Sequence, residues 1–529
     1  MVSSRLRGMF RKAQWLSLLA TTAIFVSPTV ARAKPVIDEA ITPQRSIFSS
    51  SGVFTGLLDA PTGDAFFNPP SPLPGRPGDV IWAAKSPQPC QDLFGALTGT
   101  CNIPIPIVRG TNRAVEVWRI LLHSMDRAGR SRAVSAVVVA DPPTSANSRV
   151  MVTQHGWAGM GDRCGIIGGQ FGGGFASLGN AVQNYLSDGW VFVAPSAPGA
   201  AAPGLTTNMV SGDSARSLID AAWATHLFTG ARREVVMHGH SFGGMMVTGV
   251  GGEVTTYAPE LIIRGLVVNA AYGLTGPSVP GFDGSRGAVI DKPFDYQSAV
   301  TKAGTLALVA QYSQAYAPSF KASNYLTKIG LRYMKIVTEL CSGPAVSAVI
   351  GLSWKELFKK TPEVPDIGSI SRLSKVPAWF VVADGDEIVE PLMSYHAYVS
   401  MCAAGQPTYL SVLEGKHGTS LGVLNPRDTS GLKGWIADIA SGNAPPGACA
   451  AMQPKMASWY PYSATQVAQA FNVRVTSKDK VSVSAKGACR VDKSQGVSVK
   501  PDSACELTIK VTRGTKTIAT QTVTVQTRA

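Results

Sequence analysis

Apolar residues along the chain keep three different rhythms. At 149–154, 190–194, 234–238, 262–269, 378–382 and 408–413 they form short, β-rich, nearly continuous runs. Helical stretches lie between them at 177–186, 213–228, from Gly243 onward and at 428–440. Strands that are apolar on both faces need helices over both, so this alternation predicts an α/β domain with a mainly parallel sheet. Ahead of it, apolar runs at 115–122 and 133–139 flank the turn-forming stretch Met125-Asp126-Arg127-Ala128-Gly129 and predict a β-hairpin. Residues 34–110 are rich in Pro and Gly, show no sustained period and are expected to wrap the surface of the domain.

Within 272–375 the strand rhythm gives way to a helical one. Leu326, Ile329, Tyr333, Ile336, Val337 and Leu340 are spaced by threes and fours on one predicted helical face. A helical insertion in an α/β domain reads as a cap. After residue 450 the pattern changes again, to period-two alternation in Val481/Val483/Ala485, Leu507/Ile509/Val511 and Val523/Val525. The expected organisation is therefore a catalytic domain over 34–450 with its cap at about 272–375. A linker at 451–470 and a small all-β, sandwich-like module at 471–529 follow.

The formal charge of +14 over 529 residues suggests an acidic partner until it is located. Arg5, Arg7, Arg11 and Lys12 precede an apolar stretch at 13–26, and Ala31-Arg32-Ala33 supplies small residues at the two positions a signal peptidase inspects. Residues 1–33 are thus expected to be a signal peptide cleaved before Lys34, with no transmembrane segment after it. They carry five basic groups and no acidic one, which leaves +9; residues 471–529 hold +7 of that. The body between is nearly neutral, which argues against nucleic acid as a partner. A secreted or periplasmic location also makes the eight cysteines most simply four disulfides, and their spacing does not suit zinc. Proximity in sequence favours Cys90 with Cys101 and Cys489 with Cys505.

Gly239-His240-Ser241-Phe242-Gly243 stands between a predicted strand and a predicted helix. A G-x-S-x-G elbow in that setting lifts a serine Oγ above the sheet edge, where it needs a base and a carboxylate to become a nucleophile. Asp386 follows the run at 378–382 and His417 the run at 408–413, in the chain order that this arrangement requires. Asp386 is preferred over its rivals Asp384 and Glu387 because it lies beyond the Gly385 turn. The N–H groups of Phe242 and of Trp157, on the loop after 149–154, are the expected oxyanion donors. Among other histidines, His123 and His226 fall within predicted elements, His396 on a helix, and His238 and His240 beside the elbow. No third ligand accompanies His238 and His240, so a packing role is expected for them, with no metal and no cofactor.

These residues resemble the secretory lipase family, the lipase A-type branch of the α/β-hydrolases, over about 115–450. The matching stretches are Gln154-His155-Gly156-Trp157 with Gly161-Asp162-Arg163-Cys164, Ser211 to Arg216, Gly239 to Gly244, Tyr257 to Leu261, Ala383 to Asp386, and Cys402 to Gly405 ahead of His417. The resemblance implies an α/β-hydrolase fold with a helical cap over an acyl pocket, and the pairs Cys164–Cys341 and Cys402–Cys449. The chain departs from the family where Phe242 replaces a common Gln, and where Pro195-Ser196-Ala197-Pro198-Gly199 lacks an acidic residue. The expected activity is serine carboxylic-ester hydrolysis on an acyl-ester substrate. Alternatives are a peptidase or amidase with the same triad and a polyester depolymerase that adsorbs to an anionic surface or polymer through its basic module. A non-catalytic binding protein on the same scaffold is a third.

Overall fold

The computed structural model describes residues 42–43, 60–85, 116–161, 164–165, 185–200, 202–271, 296–360, 374–418, 431–443, 464–492, 496–499 and 504–526, apart from scattered single or paired positions within these ranges. The expected signal peptide, Cys90, Cys101 and Cys449 lie outside them, as does all but the end of the helix expected at 177–186.

The main sheet has ten strands: β1 (Thr42–Pro43), β2 (Val80–Lys85), β3 (Glu116–Met125), β4 (Ser131–Ala140), β5 (Arg149–Gln154), β6 (Trp190–Pro195), β7 (Glu234–His240), β8 (Ile262–Asn269), β9 (Ala378–Ala383) and β10 (Thr408–Leu413). They lie in the order β1-β2-β3-β4-β6-β5-β7-β8-β9-β10. Pairing is antiparallel from β1 through β4 to β6, and parallel from β6 to β10. Residues 34–110 therefore do more than wrap the surface, because β2 extends the sheet and its Ile81, Trp82, Ala83 and Ala84 are buried. Two hidden faces leave such a short strand no polar alternation by which to announce itself.

Successive side chains along a strand enter opposite cores. On β5, Val150 and Val152 join the core on one face and Met151 the core on the other. The first face is covered by α1 (Ser211–Thr229), α2 (Phe242–Tyr257) and the helices of the expected cap. Those are α3 (Tyr296–Ala315), α4 (Lys328–Thr338), α5 (Ser342–Val349) and α6 (Trp354–Leu357). Thr327 caps α4 by accepting from Gly330 N at 2.9 Å, and Ser353 with Glu356 forms a capping box on α6. Of the predicted cap face, Leu326 and Val337 are buried while Ile329 stays 44% exposed. Beyond the cap come α7 (Pro391–Ala403) and α8 (Leu432–Ala440), the latter on the second core.

The terminal module contains the antiparallel sheet β11-β14-β15, made from Lys480–Gly487, Ala504–Arg513 and Lys516–Gln526, and the ribbon β12-β13, made from Cys489–Asp492 and Gly496–Val499. The stretch expected as linker holds helix α9 (Ala464–Ala470), whose Val467 and Ala468 complete the module's core with Leu507, Ile509 and Val511. This helix also packs on α7. Cys489 pairs with Cys505 as expected from their spacing, and Cys164 with Cys341 as the resemblance implies. Cys402 is also disulfide-bonded. Among the described residues no helix is long and apolar enough to cross a membrane.

Candidate active site

Ser241 joins β7 to α2 with φ 59° and ψ −118°, a conformation that non-glycine residues rarely adopt. Its N–H donates to Asn269 O of β8 at 2.9 Å, which pins the turn to the next strand. The close approach explains the glycines around it. A Cβ on Gly239 would fall 2.0 Å from Gly243 O, and one on Gly243 would fall 2.2 Å from Gln154 O. The elbow and the end of β5 thus touch through bare backbone.

Asp386 and His417 come from the loops after β9 and β10, which are neighbours in the sheet. Asp386 Oδ2 lies 2.7 Å from His417 Nδ1, while Oδ1 accepts from Ile388 N at 2.9 Å and Val389 N at 2.7 Å. These contacts offset the cost of hiding a carboxylate that is 1% exposed. The two rival carboxylates are occupied elsewhere. Asp384 Oδ1 accepts from Gly415 N at 3.3 Å, and Glu387 Oε2 accepts from the backbone N–H of His417 at 3.0 Å. All three acidic groups of the 384–387 loop therefore hold the His417 loop, and Asp386 bonds the ring.

The loop after β5 reaches the same place. A Cβ on Gly156 would lie 3.3 Å from Ser241 Cβ and 3.7 Å from its Oγ. Trp157 follows, buried, with its ring 6.3 Å from that of Phe242. Phe242 opens α2, so its N–H is one of the four that a helix's own ladder does not engage. The next residues of the loop are stitched to the cap. Gly159 forms a β-bridge with Cys341, Met160 N donates to Leu340 O at 3.1 Å, Ser342 N donates to Ala158 O at 2.8 Å, and the Cys164–Cys341 disulfide closes the seam. Gly159 sits at φ +107°, where a side chain would also strike the Cys341 backbone at 2.5 Å.

Histidines crowd the elbow. His238 Nδ1 lies 3.0 Å from Thr153 Oγ1, and burial pushes its ring down to about 4. The His240 ring stands 4.5 Å from the His417 ring, with Nε2 3.3 Å from His417 O. Burial first, then the neighbouring His417, lowers His240 to about 3, and burial likewise lowers His155. All three stay neutral at ordinary pH. The contact of His240 with His417 goes beyond the packing role expected from its sequence position. Among the described residues, no group of three or more His, Cys, Asp or Glu side chains is disposed to hold a metal ion.

Two stretches that resemble the family, Ser211 to Arg216 and Tyr257 to Leu261, serve the scaffold away from the serine. Arg216 Nε is 3.2 Å from Glu253 Oε2, and its Nη1 donates to Asp126 O at 2.8 Å. Asp213 Oδ1 accepts from Arg127 N at 2.8 Å, and Tyr257 OH and Ser124 Oγ donate to Asp220 Oδ2 at 2.9 and 2.6 Å. This buried network locks the β3–β4 turn onto α1 and α2.

Known proteins can now be set beside this geometry. A model of the alpha/beta hydrolase family matches residues 150–417, which span the elbow, the cap, the acidic loop and His417. The chain belongs to the α/β-hydrolase family. The hydrolase is also similar to solved structures of Candida antarctica lipase A. With the closed state it shares 18% identity at a TM-score of 0.54, covering 75% of this chain and 91% of that one. With a second structure of the same lipase it shares 17% identity at 0.53, over 76% and 91%. The rice cell wall degrading esterase LipA from Xanthomonas oryzae is looser, at 13% identity and 0.48 over 66% and 95%. At such identities the likeness to the lipase is one of fold alone. No curated protein sequence matches the chain.

Proposed function

We propose that the hydrolase is an exported serine esterase or lipase, secreted or periplasmic, that cleaves carboxylic esters through an acyl-enzyme on Ser241. Ser241 Oγ attacks the ester carbonyl as its proton passes to His417 Nε2. Asp386 keeps the proton on Nδ1 and stabilises the imidazolium. The oxyanion that forms takes hydrogen bonds from the N–H groups of Trp157 and Phe242. The bond to the alkoxy oxygen then breaks, His417 returns the proton to the leaving alcohol, and a water activated by the same ring releases the acid. The observation that carries the reading is the 2.7 Å His417–Asp386 contact beside a serine held at positive φ. The name of the similar Candida antarctica protein, a lipase, supports an ester in preference to an amide. A panel of ester and amide substrates sharing the same acyl groups tests it. Ester turnover that exceeds amide turnover and disappears in Ser241→Ala is expected; amide preference would reassign the protein to the peptidases or amidases.

A second reading concerns the terminal module. Lys480, Lys486 and Lys510 are exposed on one face of its three-stranded sheet, along with Ser482 and Ser484. Glu506 stands opposite Lys486 on the same face, and the positive charge that remains there supports adsorption to an anionic surface or polymer, as a polyester depolymerase would need. Because α9 packs on α7, deleting the module would bare part of the catalytic body. Changing the three lysines to Gln is the cleaner test. Loss of salt-sensitive adsorption to polyester particles or anionic envelope material supports the reading, and unchanged adsorption rejects it.

A further inference from the structure

The base of a serine triad must be held to within about 0.5 Å, and its carboxylate controls only one edge of the ring. The rest of the placement depends on the backbone that carries the ring. His417 sits just past the end of β10, and the preceding Gly415 has φ +139°. Besides the Gly415 N–H to Asp384 bond, the loop bonds to its neighbours at other points. Gly415 O accepts from Gly385 N at 2.9 Å, His417 N–H donates to Glu387 Oε2 at 3.0 Å, and His417 O lies 3.3 Å from His240 Nε2.

A carbonyl oxygen only accepts, so the last contact needs a proton on His240 Nε2. Burial keeps the His240 ring neutral, with a single N–H, and a neutral ring does not repel the imidazolium that His417 becomes during turnover. The ring faces are also in contact, with centroids 4.5 Å apart and planes at 49°. His240 belongs to the elbow, immediately before Ser241. One residue thus ties the nucleophile's backbone to the base's backbone.

We propose that His240 and Glu387 are positioning residues that clamp the His417 peptide from its two ends, His240 by donating to its carbonyl and Glu387 by accepting from its N–H. This rests on the assignment of His417 as the base of Ser241. The clamp fixes how far the His417 ring stands from the elbow, while Asp386 fixes its rotation and tautomer. Neither clamp residue handles the reacting proton, so their loss should lower kcat and leave KM nearly unchanged.

The test compares His240→Phe, which keeps a ring but removes the donor, with His240→Gln, whose amide N–H can reach the same carbonyl. Glu387→Leu and Glu387→Gln make the matching pair at the other end. With an activated ester, His240→Phe and Glu387→Leu should each lose about 10- to 100-fold in kcat, on the scale that misplacement of a reacting group commonly costs, with KM within about twofold. His240→Gln and Glu387→Gln should recover most of the loss. Thermal midpoints separate misfolding from misplacement, and if His240→Phe fails to fold, the Glu387 pair decides. Full activity in His240→Phe or in Glu387→Leu overturns the clamp, and so does a Gln variant as impaired as its apolar counterpart. Ser241→Ala run in parallel keeps the two claims apart, since persistent activity there removes the serine assignment itself.

Discussion

Replacing Asp386 with Asn is nearly isosteric, yet the structure makes its consequence severe. Oδ1 accepts two backbone N–H groups, from Ile388 at 2.9 Å and Val389 at 2.7 Å, so the new amide must keep its oxygen on that side. Its NH2 group is then forced toward His417 Nδ1, 2.7 Å from the position of Oδ2. A donor there obliges Nδ1 to accept, which moves the ring proton to Nε2, the atom that takes the serine proton in the proposed mechanism. The opposite amide orientation would oppose NH2 to two N–H donors, leaving both buried and unsatisfied at about 1–3 kcal/mol each. The wrong tautomer therefore dominates. A triad caught in it typically loses about 10⁴-fold in kcat, or roughly 5 kcal/mol of transition-state stabilisation. Steady-state hydrolysis of an activated ester at neutral pH measures this directly, with Asp384→Asn as the control. Asn at 384 can still accept from Gly415 N through its oxygen, so that variant should stay within about tenfold of the parent enzyme. Asp386→Asn within tenfold of the parent enzyme, or Asp384→Asn as inactive as Asp386→Asn, would refute the reasoning.

Two further outcomes follow from the scaffold. Changing both Cys164 and Cys341 to Ser removes a cross-link spanning 177 residues, which unfolded-chain entropy puts at up to about 5 kcal/mol. A lower denaturation midpoint and reduced turnover are expected, since the seam carries the loop of Trp157; unchanged values would detach the cap from that loop. Asp220 concerns pH. Burial raises its carboxyl from 3.8 to about 7, so the folded protein holds a proton that the unfolded chain has released. That stabilisation is whole below about 3.8 and is lost as pH rises through about 7, a difference of roughly 4 kcal/mol at most. Urea midpoints at acidic and mildly alkaline pH should diverge less in Asp220→Asn than in the parent protein, and equal divergence would show that Asp220 does not titrate there.

The parallel strands and the elbow were legible because each is a local signal: an apolar run, or glycines where backbones touch. The sequence preferred Asp386 for its place beyond Gly385, and what sets it apart from Asp384 and Glu387 in the structure is the atom of the His417 loop that each one meets. That is a matter of three dimensions. His240 was visible only as a neighbour of the serine, since its partner lies 177 residues further on. The strand Val80–Lys85 was missed because a six-residue strand buried on both faces lacks alternation, and its Pro- and Gly-rich surroundings resemble a surface wrap. The Ser211 to Arg216 stretch opens α1, and its charges bind the β3–β4 turn and Glu253 of α2.

The central claim is that Ser241 is the nucleophile. Treatment with a fluorophosphonate, followed by peptide mass analysis, tests it most directly. The account predicts one label per chain on the peptide containing Ser241, with hydrolysis lost in proportion. Ser241→Ala should show neither label nor turnover above about a thousandth of the parent rate. A label on another residue, or undiminished hydrolysis by Ser241→Ala, would contradict it.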